Sequence, residues 1–90
     1  MTWDETMLWD EIERLDELGV TGVQRDIVRG ILEFCHDVFK KSMTPAVEIN
    51  DNGDVGVSIK GLSGTIDITV TKDCLVTFAG DLRNMKGEQQ

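Results

Sequence analysis

Near the start of the chain, apolar residues recur three and four positions apart. Leu8, Ile12 and Leu15 share one side of a helix, and Met7 and Leu18 extend it. The spacing predicts a first helix from about Trp3 to Leu18. Thr2 and Glu5 have capping-box spacing, in which a hydroxyl and a carboxylate satisfy backbone N–H groups reciprocally. Gly19 tolerates the left-handed conformation that ends a helix. The stripe holds a conflict. Extended toward Met7 and Leu18, it takes in Glu11 and leaves Trp9 pointing away among Glu5, Glu13 and Asp16. Extended toward Trp9, it takes in Asp16 and leaves Trp3 and Met7 over. In either register at least one large apolar side chain lacks a place in a monomer's core.

A second helix is predicted after Thr21, where Thr21 and Gln24 repeat the capping-box spacing, and runs to about Lys41. Val23, Ile27, Val28, Ile31, Leu32, Phe34, Cys35, Val38 and Phe39 cover about half its circumference at ~100° per residue. Arg25, Arg29, Glu33, His36 and Lys40 fall on the other side, which makes His36 a surface residue. So wide a stripe suits burial against a sheet and the first helix, or against a sheet and a second copy of the chain. Met43-Thr44-Pro45 reads as the exit, because Pro45 disfavours helix for Thr44.

From Pro45 the period drops to two. Val47 and Ile49 alternate with Glu48 and Asn50 in a short first strand, 46–50, placed at a sheet edge with Pro45 guarding its start. Asp51-Asn52-Gly53-Asp54 is a hairpin signal. Val55, Val57 and Ile59 form a second strand, followed by a turn at Gly61-Leu62-Ser63-Gly64. Ile66, Ile68 and Val70 form a third, with a turn at Lys72-Asp73, and Cys74, Val76 and Phe78 a fourth. One face of this meander is apolar. The other carries Glu48, Ser58, Lys60, Asp67, Thr69, Thr71 and Thr77.

The apolar sheet face needs a cover, and the two helices are the cover within reach. The expected fold is therefore a two-layer α+β domain of order ααββββ, two N-terminal helices on a four-stranded antiparallel β-meander. One domain spans 1–90, with a helical half over 2–42, a sheet half over 45–80 and a frayed tail over 82–90. The strand half, 45–80, resembles that of small uncharacterised bacterial and phage proteins in its proline, short strands and Asp/Gly turn.

Charge changes this picture most. The chain of 90 residues has a net charge of −8. Residues 1–18 hold seven acids against one base, and residues 19–90 ten acids against eight bases, so the acidity belongs mainly to the first helix. Direct binding of nucleic acid or an anionic membrane needs clustered Lys and Arg and is not expected. No apolar run approaches the roughly 20 residues of a membrane span. The acidic N-terminus lacks a secretory leader's basic region, so a cytoplasmic location is expected. Cys35 and Cys74 read as two reduced core thiols.

The chemistry-bearing residues do not converge. His36 is the single histidine, the serines lack a nucleophile-elbow context, and Asn50 to Asp54 lacks the spacing of a calcium loop. No enzyme activity, cofactor or metal is expected. Leu18 to Ile27 resembles a helix–hairpin–helix DNA-binding turn, with Gly19 and Gly22 between helices and Arg25 and Arg29 beyond. The glycine spacing is longer than that pattern's, its proline is missing, and the preceding helix is acidic. This is the minor alternative.

Asp10, Glu13 and Glu17 lie in one line along the first helix. Such a row imitates a phosphate backbone and suits a basic groove. The leading expectation is a small non-enzymatic interaction protein whose acidic first helix docks on a larger protein with a basic, nucleic-acid-binding surface. In size and charge it resembles phage or mobile-element inhibitors such as anti-CRISPR proteins. Trp9, Asp10, Glu13 and Glu17 are the expected contacts, with Glu5 and Asp16 behind them. The alternative is an immunity-, antitoxin- or accessory-type subunit that binds through an apolar helix or sheet-edge surface. A homodimer is compatible with either.

Overall fold

The computed structural model describes residues 3–40, 43–61 and 64–82. Helix α1 spans Glu5–Glu17 and α2 spans Gly22–Phe39. Strands β1 (Met43–Ile49), β2 (Val55–Gly61), β3 (Gly64–Val70) and β4 (Val76–Leu82) follow. The strands form one antiparallel meander in the order β1-β2-β3-β4, and the helices lie on one face of it. This is the expected two-layer ααββββ arrangement.

The start of α1 differs from the expectation. Asp4, extended at φ −86°, is the cap, and its carboxylate accepts from the Met7 N–H at 2.9 Å. Thr2 lies outside the described residues. A cap at Asp4 leaves Trp3 outside the helix and free to fold back. Its N–H donates to the Lys40 carbonyl at 2.7 Å, and its ring meets His36 edge-on at 5.4 Å. Trp3 is fully buried, and His36 is buried with it, not on the surface. The start of α1 is thereby tied to the end of α2, and Trp3→Ala would cost about 3–5 kcal/mol.

The end of α1 follows its sequence. Gly19 has φ +82° and donates to the Asp16 carbonyl, while Val20 donates to Leu15 at 2.9 Å. This is a Schellman end, and Val20 and Leu15 are both buried beneath it. At the start of α2, Thr21 makes no side-chain capping bond. Gln24 is drawn away from the expected capping box by the sheet. Its amide donates to the Gly53 and Val70 carbonyls at 2.9 and 3.0 Å, pinning α2 over the β1–β2 turn and the end of β3.

The first strand begins earlier than expected. Met43, expected at the helix exit, is buried in β1, and Pro45 sits within this edge strand opposite Ile59. The hairpins at 50–54 and 71–75 share one geometry. Asn50 N–H donates to Asp54 and Gly53 N–H to Asn50, both at 3.0 Å. Thr71 N–H donates to Leu75 and Cys74 N–H to Thr71, both at 2.8 Å. Each is a three-residue loop with a left-handed residue before the second strand resumes. That residue is Gly53 at φ +87° in one hairpin and Cys74 at φ +69° in the other. Cys74 is therefore a turn residue, not the first residue of a strand.

Register explains the core. Val47, Val57, Ile68 and Phe78 form one row across the helix-facing side of the sheet. The first three are buried, but Phe78 is 72% exposed. Helix α1 packs on β1, and α2 packs on β1, β2 and β3; among the described residues neither reaches β4. The expectation that two helices cover the whole apolar face is thus corrected. Alternation alone places the fourth strand in the core, and alternation carries no information about how far a helix layer extends.

Candidate functional site

On α1 the structure separates the acids into three groups. Glu11 turns toward the sheet, where its carboxylate accepts from the Val47 N–H at 3.1 Å. Burial pushes its carboxyl pKa above the ordinary range; the Val47 bond and Arg14 oppose this, and Asp10 adds to it. Asp16 turns toward α2 and pairs with Arg25 at 2.8 Å. Glu5, Asp10, Glu13 and Glu17 are exposed. Asp10, Glu13 and Glu17 form the expected row on the outward face, while Asp16 is engaged within the chain.

Trp9 is 49% exposed at the flank between α1 and α2, with the Arg29 guanidinium 5.8 Å from its ring centroid. Arg29 also pairs with Glu33 at 3.2 Å. Such exposed pairs contribute up to about 1 kcal/mol each, so they orient side chains more than they stabilise the fold. The two tryptophans divide cleanly, Trp3 into the core and Trp9 to the surface. This resolves the conflict in the stripe: Trp3 is not helical, Glu11 is satisfied by β1, and Trp9 stays outside.

The segment that carries the helix–hairpin–helix resemblance is the link between α1 and α2. The α1–α2 connection is a Schellman end, and Arg25 and Arg29 are both held by carboxylates beside an acidic helix. Cys35 and Cys74 are free thiols, and burial raises the pKa of Cys35. Among the described residues no group of three or more His, Cys, Asp or Glu is placed to hold a metal ion. Among them, too, no helix is long and apolar enough to cross a membrane.

A second surface lies on the other side of α2. Ile27, Gly30, Ile31 and Phe34 form a wall and Ile66, Ile68 and Phe78 a floor, around a groove of about 470 Å³. Phe34 is 68% exposed, and Val38 and Val76 are also exposed. The width of the second helix's apolar stripe signalled surplus apolar surface. That the surplus gathers beside β4 required the register and the helix positions. Searches against protein families, curated proteins and solved structures find no match to this chain.

Proposed function

We propose that this chain is a small non-enzymatic protein-interaction module whose acidic α1 docks on a basic, nucleic-acid-binding surface of a larger protein. A phage or mobile-element inhibitor of the anti-CRISPR type would act in this way. The observation that carries the reading is the outward row of Asp10, Glu13 and Glu17 with half-exposed Trp9 at its flank. Carboxylates in line steer a basic partner and speed its approach, while an aromatic anchor supplies contact energy. Asp16 serves the fold through Arg25, so the working contacts are Trp9, Asp10, Glu13 and Glu17, with Glu5 at the near end. Two free thiols fit a reducing, cytoplasmic setting.

The test is binding to an immobilised panel of purified bacterial nucleic-acid-binding complexes at low and high salt. Wild type is expected to bind at least one member at low salt and to release at high salt. The double variant Glu13→Lys/Glu17→Lys should bind that member at least about tenfold more weakly, mainly through slower association. Unchanged affinity in the variant, or no salt-sensitive binding to any member, removes the reading.

A second reading, an accessory subunit that binds through apolar surface, is favoured by the exposure of Phe34 and Phe78 around one groove. Such binding would be insensitive to salt.

A further inference from the structure

Resting on the acidic-helix reading, we propose that the partner's basic surface presents an arginine, which displaces Arg29 from the ring of Trp9. That ring already holds a guanidinium. Arg29 reaches across from α2 and lies over Trp9, 5.8 Å from the ring centroid. Cation–π contacts extend to about 6 Å, so this one sits at the loose end of the range. Tryptophan is the best ring for such a contact, and Trp9 is half-exposed. The chain's own arginine thus shows what the ring accepts: a flat guanidinium rather than a bare point of positive charge.

Arg29 is placed to leave. It also pairs with Glu33 at 3.2 Å, one turn further along α2. That pair persists when another cation takes the ring, so displacement forfeits only the loose contact. The incoming arginine meets carboxylates that Arg29 does not use. Glu5 and Glu13 lie one turn to either side of Trp9 on α1. Both are exposed, and among the described residues neither is in an ion pair. A guanidinium on Trp9 has donors left over for such a carboxylate, in a flat fork that a lysine ammonium lacks.

Charge complementarity therefore selects a basic partner, and the ring selects arginine within it. Arginine is also the side chain favoured for gripping phosphate, so a nucleic-acid-binding groove supplies it. Arg29 is then an internal competitor that occupies Trp9 until a partner's arginine replaces it.

The test is titration calorimetry of the full chain at low salt with two end-blocked peptides, octa-arginine and octa-lysine. Wild type is expected to bind the arginine peptide more tightly. Trp9→Leu should cut the arginine-to-lysine affinity ratio about two- to fivefold, the weight of one exposed cation–π contact. Arg29→Gln removes a positive charge and strengthens both peptides, but uncovering the ring should also raise that ratio about twofold. In Trp9→Leu/Arg29→Gln the rise should vanish, the signature of two arginines competing for one ring. Neither side chain is buried, so each variant should keep the wild-type far-ultraviolet spectrum. In NMR spectra the Trp9 indole N–H should shift with the arginine peptide, while that of buried Trp3 stays in place.

A ratio that is equal in wild type, Trp9→Leu and Arg29→Gln overturns the inference. If both peptides still bind and Glu13→Lys/Glu17→Lys weakens them alike, the acidic-helix reading stands without it. If neither peptide binds, the inference falls, and the panel of nucleic-acid-binding complexes decides the wider reading on its own.

Discussion

The two edges of the sheet are treated in opposite ways. At β1, both backbone polar groups of Val47 are engaged by α1: Glu11 accepts from its N–H and Arg14 Nε donates to its carbonyl at 3.0 Å. Pro45 removes another donor from the same strand. At β4 the sequence Val-Thr-Phe-Ala-Gly-Asp-Leu has neither proline nor lysine. Among the described residues no strand lies beyond it and no helix packs on it. Unprotected edges are the ones available for pairing and docking. The contrast teaches that the same helices that seal one edge leave the other exposed. Among the described residues, exposed apolar surface therefore gathers along α2 and β4.

The largest effect that tests this contrast lies in the buried floor. Ile59→Ala, in the covered part of the sheet, should cost about 2–5 kcal/mol in urea unfolding. Phe78→Ala, at a side chain 72% exposed in the single chain, should cost less than about 0.5 kcal/mol. Comparable costs would mean that β4 is covered after all. The seal on β1 is the next lever. Arg14→Ala leaves the Val47 carbonyl without its side-chain donor and should cost about 1 kcal/mol. Hydrogen exchange should quicken along β1 while β4 is unaffected.

The paired hairpins offer a third test, because their left-handed positions differ by one side chain. Cys74→Gly should stabilise the β3–β4 hairpin by about 1 kcal/mol, since a side chain in that conformation is strained. Gly53→Ala should destabilise the β1–β2 hairpin by about the same amount. Thermal midpoints moving in opposite directions would confirm the shared geometry.

The smallest effect concerns pH. Glu11 has its pKa raised by burial, so the folded chain binds its proton more tightly than the unfolded chain does. Between the ordinary carboxylate value and the raised one, stability therefore falls as pH rises. Glu11→Gln cannot titrate, so it should gain on wild type as pH rises through that window. Urea midpoints of the two proteins across the acidic range would show the difference. Parallel curves would place Glu11 in water rather than against β1.

Much of the fold was legible because its signals are local. The helix period around Leu8, Ile12 and Leu15, the left-handed Gly19 and Gly53, and the strand alternation from Val47 to Val70 each follow from a few neighbouring residues. Local signals also misled. Thr2 with Glu5 and Thr21 with Gln24 have capping-box spacing, yet Asp4 caps α1 and Gln24 bonds the sheet. His36 sits on the polar side of α2 by helical angle, yet Trp3 folds over it. The acidic row was readable because helical spacing alone determines which acids line up. The engagement of Glu11 and Asp16 within the chain was not, since their partners come from β1 and α2.

By itself, then, the sequence determined the order of elements, the antiparallel meander and the acidic outward face of α1, all of which rest on short-range periodicity. The tertiary structure alone decided which tryptophan is buried, which edge is sealed and where the spare apolar surface gathers. Those outcomes depend on how far two helices reach across four strands. That reach is set by packing between residues distant in the chain, such as Trp3 with His36 and Gln24 with Val70.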